Sequence, residues 1–167
     1  MSEEFAYLSN RRSDVRQRAL ANRIYYQERQ RIFEMREGFI KVISILAGSY
    51  AFAKMIDPEV VKWCAIAITT SSAASLVFGF GTKARDSAKR SSEWALLERD
   101  IERAGERNFT EDQVAQWLAR CNEIEAGEPA AHPGLFERAN HRACEAMGST
   151  PGKVAWWKLH RPAIFIP

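Results

Sequence analysis

An uncharged stretch of about 20 residues, from Trp63 to Thr82, limits what this chain can fold into more than any other feature. A helix of that length spans the roughly 30 Å hydrocarbon core of a bilayer. A second apolar arm, residues 39–56, comes before it and carries Lys41 and Lys54 near its ends. A lysine at such a position extends its methylenes along the helix and places its ammonium among lipid headgroups, so this arm is also long enough to cross.

A short polar turn, residues 57–59 (Asp-Pro-Glu), joins the two arms and contains a helix breaker. Two apolar helices with so short a connection must be antiparallel neighbours. We therefore predict an all-α chain with a two-pass transmembrane hairpin at residues 38–82. Its arms are expected at residues 39–56 and 63–82.

Basic residues on either side of the hairpin predict its orientation. Eight arginines precede it and four basic residues follow it closely, whereas two lysines and two acidic residues balance each other at the turn. Because cytoplasmic flanks carry the excess of Lys and Arg, both termini are predicted to be cytoplasmic. The predicted membrane-interface anchors are Lys41, Lys54, Trp63, Trp156 and Trp157.

The segments outside the hairpin predict a cytoplasmic helical bundle. Within residues 1–37, the sequence predicts a loosely ordered segment at residues 1–10 and one long helix after it. Residues 83–148 read as short amphipathic helices, the first from Ser91 and the second with a capping box at its start. The remaining residues, 149–167, form an aromatic and basic tail that suits either a membrane interface or a cover for the bundle.

Small residues recur every four positions along the second arm, and this pattern permits close approach of helices in lipid. In one interpretation they pack the two arms against each other. In the other, hydroxyl groups of this arm face a water-filled lumen, which requires several copies because two passes cannot enclose a pore. The candidate helix-packing or pore-lining residues are Ser44, Gly48, Ala67, Thr70, Ser71, Ala74, Ser75 and Gly79.

No constellation of residues in the sequence predicts catalysis, a metal site or a cofactor. His141 and Cys144 form a lone His-x-x-Cys without a second ligand pair, and no glycine pattern for phosphate binding is present. The arginine-rich N-terminal helix also contains acidic residues, which weaken its positive electrostatic potential. Nucleic acid is therefore not expected as a partner. Anionic lipid headgroups explain the arginines nearer the hairpin. We predict that the protein is not an enzyme.

Three segments of the C-terminal half resemble the SLATT family: residues 124–129 (Ile-Glu-Ala-Gly-Glu-Pro), residues 135–142 (Leu-Phe-Glu-Arg-Ala-Asn-His-Arg) and Gly148. The similarity in architecture runs over roughly residues 13–148. That family comprises two-pass membrane effector domains of prokaryotic nucleotide-signalling conflict systems. The resemblance implies a pore-forming effector in the bacterial inner membrane, without catalytic residues, that acts when infection is sensed. The trigger is expected to come from a separate sensor protein or nucleotide signal.

Three hypotheses follow from the sequence. The first is a homo-oligomeric, multi-pass inner-membrane effector of antiphage defence, embedded in the lipid bilayer. The second is a non-conducting two-pass scaffold or adaptor whose cytoplasmic helices recruit a partner. The third is a soluble helical bundle with an unusually apolar central hairpin.

Overall fold

The computed structural model describes residues 3–150 and residue 152, and every regular element among these residues is a helix. The prediction of an all-α chain is therefore confirmed for the described residues. Trp156 and Trp157 and most of the predicted tail lie outside them. The five helices are α1 (Glu3–Ala53), α2 (Pro58–Phe78), α3 (Phe80–Arg103), α4 (Glu111–Ala126) and α5 (Pro133–Ala146).

The described residues divide into two compact units. The apolar unit is Gln30–Asp86, which holds the second part of α1, all of α2 and the start of α3. The charged unit holds the described residues up to Arg29 and from Ser87 onward, including α4 and α5.

Helix α1 begins earlier than the sequence predicted. Residues 1–10 were expected to be loosely ordered, but the helix already starts at Glu3. Two acidic residues in its first turn, Glu3 and Glu4, complement the positive end of the helix dipole. The ring of Phe5 also lies 5.8 Å from the ring of Phe109, and this contact with a residue distant in sequence adds stability that local patterns do not reveal.

Polar side chains cap the starts of α2 and α4. A carboxylate oxygen of Asp57 accepts hydrogen bonds from the backbone amides of Glu59 and Val60, at 3.1 and 3.4 Å. At α4 the Thr110 hydroxyl accepts from the Gln113 amide at 3.3 Å, while the Gln113 side chain accepts from the Thr110 amide at 3.0 Å. The predicted capping box is therefore confirmed.

A single glycine separates α2 from α3. Gly79 has a φ of 57°, in the left-handed region that glycine adopts without steric cost, and its amide donates to the Ser75 carbonyl. The next residue, Phe80, already begins α3. The expectation of a helix starting only at Ser91 was wrong, because one left-handed residue redirects the chain without needing a loop.

The core of the charged unit takes buried residues from α1, α3, α4 and α5, and the segment between α4 and α5 hydrogen-bonds to its aromatic residues. Trp94 is fully buried, and its indole N–H donates to the Glu128 carboxylate at 2.6 Å. The backbone amide of His132 donates to the Tyr25 hydroxyl at 3.0 Å. Burial raises the pKa of Glu128, because hydrogen bonds from Trp94 and Tyr26 only partly offset the lost hydration.

Ion pairs connect α1 to the other helices of the charged unit. The buried carboxylate of Glu28 accepts from the guanidinium groups of Arg138 and Arg142 on α5. Arg23 lies 2.8 Å from the buried carboxylate of Glu98 on α3. Burial nevertheless raises the pKa of Glu98, because desolvation of its charged form outweighs the attraction of Arg23.

Candidate functional site

The apolar unit carries its large apolar side chains on the outside. Of the sixteen exposed large apolar side chains among the described residues, fourteen lie between Met35 and Phe78. Phe52 and Val77 are each 81% exposed and Leu76 is 84% exposed. Large exposed apolar patches are rare on soluble monomers and are typical of surfaces that meet lipid or another protein.

Among the described residues, one helical stretch, within Pro58–Arg103, is long and apolar enough to cross a membrane. Only 6% of its apolar window is buried. The core helix of a soluble protein can have a similar length and composition but is mostly buried, which differs from the low burial of this window. The prediction that the second arm is long and apolar enough to cross a membrane is therefore confirmed, whereas the first arm, residues 39–56, is not among the candidate spans of the described residues.

The second part of α1 packs against α2 through small side chains. The hydroxyl oxygens of Ser44 and Ser71 are 3.0 Å apart, and the Ser71 hydroxyl donates to the Ile68 carbonyl at 3.0 Å. A Cβ placed on Gly48 would lie 4.0 Å from the Ile68 side chain, in ordinary contact. Small residues therefore allow the two helices to approach closely, as is usual for helix pairs in lipid.

Most of the predicted packing residues lie on the partly buried sides of these two helices. Thr70 is the exception, because it is exposed. The buried Cys64 continues the same side of α2 toward its start. Of the predicted anchors, Lys41, Lys54 and Trp63 are exposed. The partly buried residues of the predicted set are Ser44, Gly48, Ala67, Ser71, Ala74, Ser75 and Gly79.

We expect Ser71→Leu to weaken the packing of α1 on α2. The larger side chain has no space beside Ser44, and overpacking of this kind costs about 2 kcal/mol. In the detergent-solubilised full chain, the midpoint of thermal unfolding followed by circular dichroism should fall by roughly 5 °C. The matched control is Ser49→Leu, the same change at an exposed position of α1. Equal midpoints for the two variants would contradict the observed packing.

A cluster of cations and aromatic rings lies at one end of the apolar unit. The rings of Phe33 and Phe80 are stacked with centroids 6.3 Å apart. The guanidinium of Arg36 lies 5.9 Å from both ring centroids, and the Lys83 ammonium lies 5.7 Å from that of Phe33. Sequence reasoning missed this cluster because it joins residues from α1 and α3, and neither helix shows it as a pattern.

An acidic residue connects this cluster to the rest of the apolar unit. The Glu37 carboxylate forms an ion pair with Lys41 at 2.7 Å. It also lies so close to Gly81 that a Cβ there would be 2.8 Å from its oxygen. Glycine at this position therefore permits the contact between α1 and the start of α3.

An open cleft of about 520 Å³ lies between α1 and α2, directly beside Lys41. Its walls are mostly aliphatic, and Lys41 and three serine side chains provide the remaining polar surface. The lining residues are Ile40, Lys41, Ser44, Ile45, Ser72, Ser75 and Leu76.

The described residues contain no group of three or more His, Cys, Asp or Glu placed to hold a metal ion. His141 lies 3.5 Å from Glu145, and the sulfur of Cys144 accepts a hydrogen bond from Gln17. Burial raises the pKa of the Cys121 thiol to about 11, so this thiol stays protonated at neutral pH.

Comparison with models of known protein families, with curated proteins and with solved structures found no match to this chain. The resemblance to the SLATT family therefore stays a prediction from the sequence, because none of these comparisons identifies a family. The most distinctive structural feature is the exposed apolar surface of the apolar unit.

Proposed function

We propose that this chain is a two-pass protein of the bacterial inner membrane in which the apolar unit forms a transmembrane hairpin. The exposed apolar surface on both α1 and α2 carries this proposal. Side chains such as Phe52 on α1 and Leu76 on α2 are exposed in the isolated chain and gain a favourable environment only when lipid or another helix covers them.

The charge distribution supports a topology with both termini in the cytoplasm. We define the entry end of the hairpin as residues 30–41 and 80–86, and the turn end as residues 54–62. The entry end holds five basic and three acidic residues, whereas the turn end holds two of each. Because positive residues favour the cytoplasmic side, the entry end faces the cytoplasm and the turn end faces the opposite side.

The outward side of α2 supports assembly of several copies. Ala65, Thr69 and Ala73 recur every four residues there and are exposed, and the exposed Ser72 lies beside them. Small residues at this spacing permit close packing of helices in lipid. Where water is absent, hydrogen bonds between hydroxyl groups of neighbouring helices stabilise the assembly. In the assembly these hydroxyls line a polar path, which makes the oligomer a pore-forming effector.

The SLATT resemblance supplies the biological setting of the proposal. In that setting the oligomer perturbs the inner membrane during antiphage defence, after a signal from a separate sensor protein or nucleotide. The charged unit is the part available to receive such a signal.

A non-conducting membrane scaffold is the second candidate. It is favoured by the Ser44–Ser71 contact, because this contact uses part of the small-residue surface within a single chain. In this alternative the hairpin only anchors the protein, and the charged unit recruits a partner.

The first test of the proposal is extraction. Membranes from cells that express the full chain are washed with alkaline carbonate, which releases peripheral proteins and retains integral ones. We expect the chain to stay in the pellet until detergent is added. Recovery of a monomer in the detergent-free aqueous fraction would overturn both the effector and the scaffold proposals.

Conduction is then tested with the purified chain in vesicles that hold a potassium gradient and a potential-sensitive dye. We expect dissipation of the potential by the wild type and at least about a tenfold slower loss for Thr69→Leu with Ser72→Leu, because leucine removes the polar side of α2. The control, Ser49→Leu, should behave as wild type. A chain that inserts but leaves the potential intact would favour the scaffold.

A further inference from the structure

The entry end of the apolar unit combines positive charge with exposed apolar surface. Arg36 and Lys83 lie against the stacked rings of Phe33 and Phe80, and Lys41 lies at the rim of the cleft. We call Arg36, Lys41 and Lys83 the cationic cluster. The Glu37 carboxylate pairs with Lys41, and the entry end as a whole holds five basic and three acidic residues.

The cleft lies between α1 and α2 and shares Lys41 with this cluster. Lys41 lies at its rim, and Ile40, Ile45 and Leu76 provide aliphatic walls. Its volume of about 520 Å³ is that of a groove rather than of a small-ion site. A ligand that fits both features has a negatively charged head and a long apolar chain.

We propose that the apolar unit binds an anionic phospholipid, whose phosphate contacts the cationic cluster and whose acyl chain lies in the cleft. This inference rests on the proposed insertion of the apolar unit into the membrane, and it names the class of lipid that binds to this unit. Charge complementarity selects an anionic over a zwitterionic head, because a zwitterionic head brings no net charge to the excess of positive residues.

The arrangement of aromatic rings suits this role. The Arg36 guanidinium lies over the rings of Phe33 and Phe80, and the Lys83 ammonium lies over the ring of Phe33. The ring quadrupole attracts cations at these positions. The guanidinium of Arg36 presents a planar set of donors that matches phosphate oxygens, while the ammonium groups of Lys41 and Lys83 act as point charges.

The head-group preference is tested on the full chain in a mild non-ionic detergent with fluorescent lipids. We expect phosphatidylglycerol to bind at least about tenfold more tightly than phosphatidylcholine. Arg36→Gln combined with Lys83→Gln should bring the two affinities within about twofold of each other. Lys54→Gln with Lys62→Gln removes the same charge at the turn end and should leave the preference unchanged.

The role of the cleft is tested separately by comparing phosphatidylglycerols with long and short acyl chains. Ile45→Trp fills the cleft and should weaken binding of long-chain phosphatidylglycerol about fivefold, while leaving a short-chain form with the same head unaffected. The control is Val42→Trp, because Val42 is exposed on the same helix and does not line the cleft.

Three results would overturn the inference: equal affinity for the two lipids, equal losses in the entry-end and turn-end variants, or equal losses for Ile45→Trp and Val42→Trp. These results differ from a result that would reject insertion into the membrane. Carbonate extraction measures insertion and does not depend on the lipid head group. A chain retained in the membrane with no lipid preference would thus reject the lipid site alone.

Discussion

Trp94→Ala is expected to destabilise the charged unit more than any other single substitution considered. The side chain is fully buried, so its removal leaves a large cavity, and Trp→Ala changes in cores cost about 4 kcal/mol. The Glu128 carboxylate also loses the indole donor that lies 2.6 Å away. For the detergent-solubilised full chain, the midpoint of thermal unfolding followed by circular dichroism should fall by roughly 10 °C.

Two further variants distinguish the loss of stability caused by the cavity from the loss caused by the missing hydrogen bond. Trp94→Phe retains most of the buried ring and removes the N–H donor, so it should cost about 1–2 kcal/mol. Leu96→Ala removes a half-exposed side chain from the same helix and should change the midpoint little. If Trp94→Ala were no worse than Leu96→Ala, then α3 would not pack in the charged unit as described.

Glu28→Ala should have the second largest effect, at about 3 kcal/mol. Removal of one partner from a buried ion pair leaves the other charge without compensation. The side chain of Arg138 is 18% exposed and would stay partly buried without its carboxylate, whereas that of Arg142 is 55% exposed and regains water. The loss therefore lies at the lower end of the range for buried pairs, and the same thermal measurement detects it.

The matched control for this prediction is Glu123→Ala. Glu123 pairs with Arg120 at 2.6 Å, but both side chains are at least half exposed, and such surface pairs contribute little to stability. Replacing Glu28 and Arg138 together by leucine and methionine should restore most of the lost stability, because no buried charge then remains unpaired. Failure of this double variant to recover would mean that the pair is not the cause of the loss.

Features set by neighbouring residues could be predicted from the sequence. The capping box at Thr110 depends on residues three positions apart, and the apolar helix that follows Asp57 depends on composition alone. These signals are local, so no knowledge of the tertiary structure is needed to find them.

Features set by distant residues could not be predicted. The early start of α1 involves the contact of Phe5 with Phe109, and the cationic cluster involves Phe33 with Phe80. The one-residue break at Gly79 was missed for a different reason, because Gly81 lies close by and either glycine could have ended the helix. In each case the deciding interaction or backbone angle becomes visible only in three dimensions.

The burial of all three cysteines has a practical consequence for mapping this protein. Cys64, Cys121 and Cys144 are each at most 9% exposed, so maleimide reagents find little to modify in the folded chain. A new cysteine at an exposed position, such as Met55, is therefore the dominant reactive thiol even in the native background. Membrane-impermeant labels can then report the side on which each segment lies, without prior removal of native thiols.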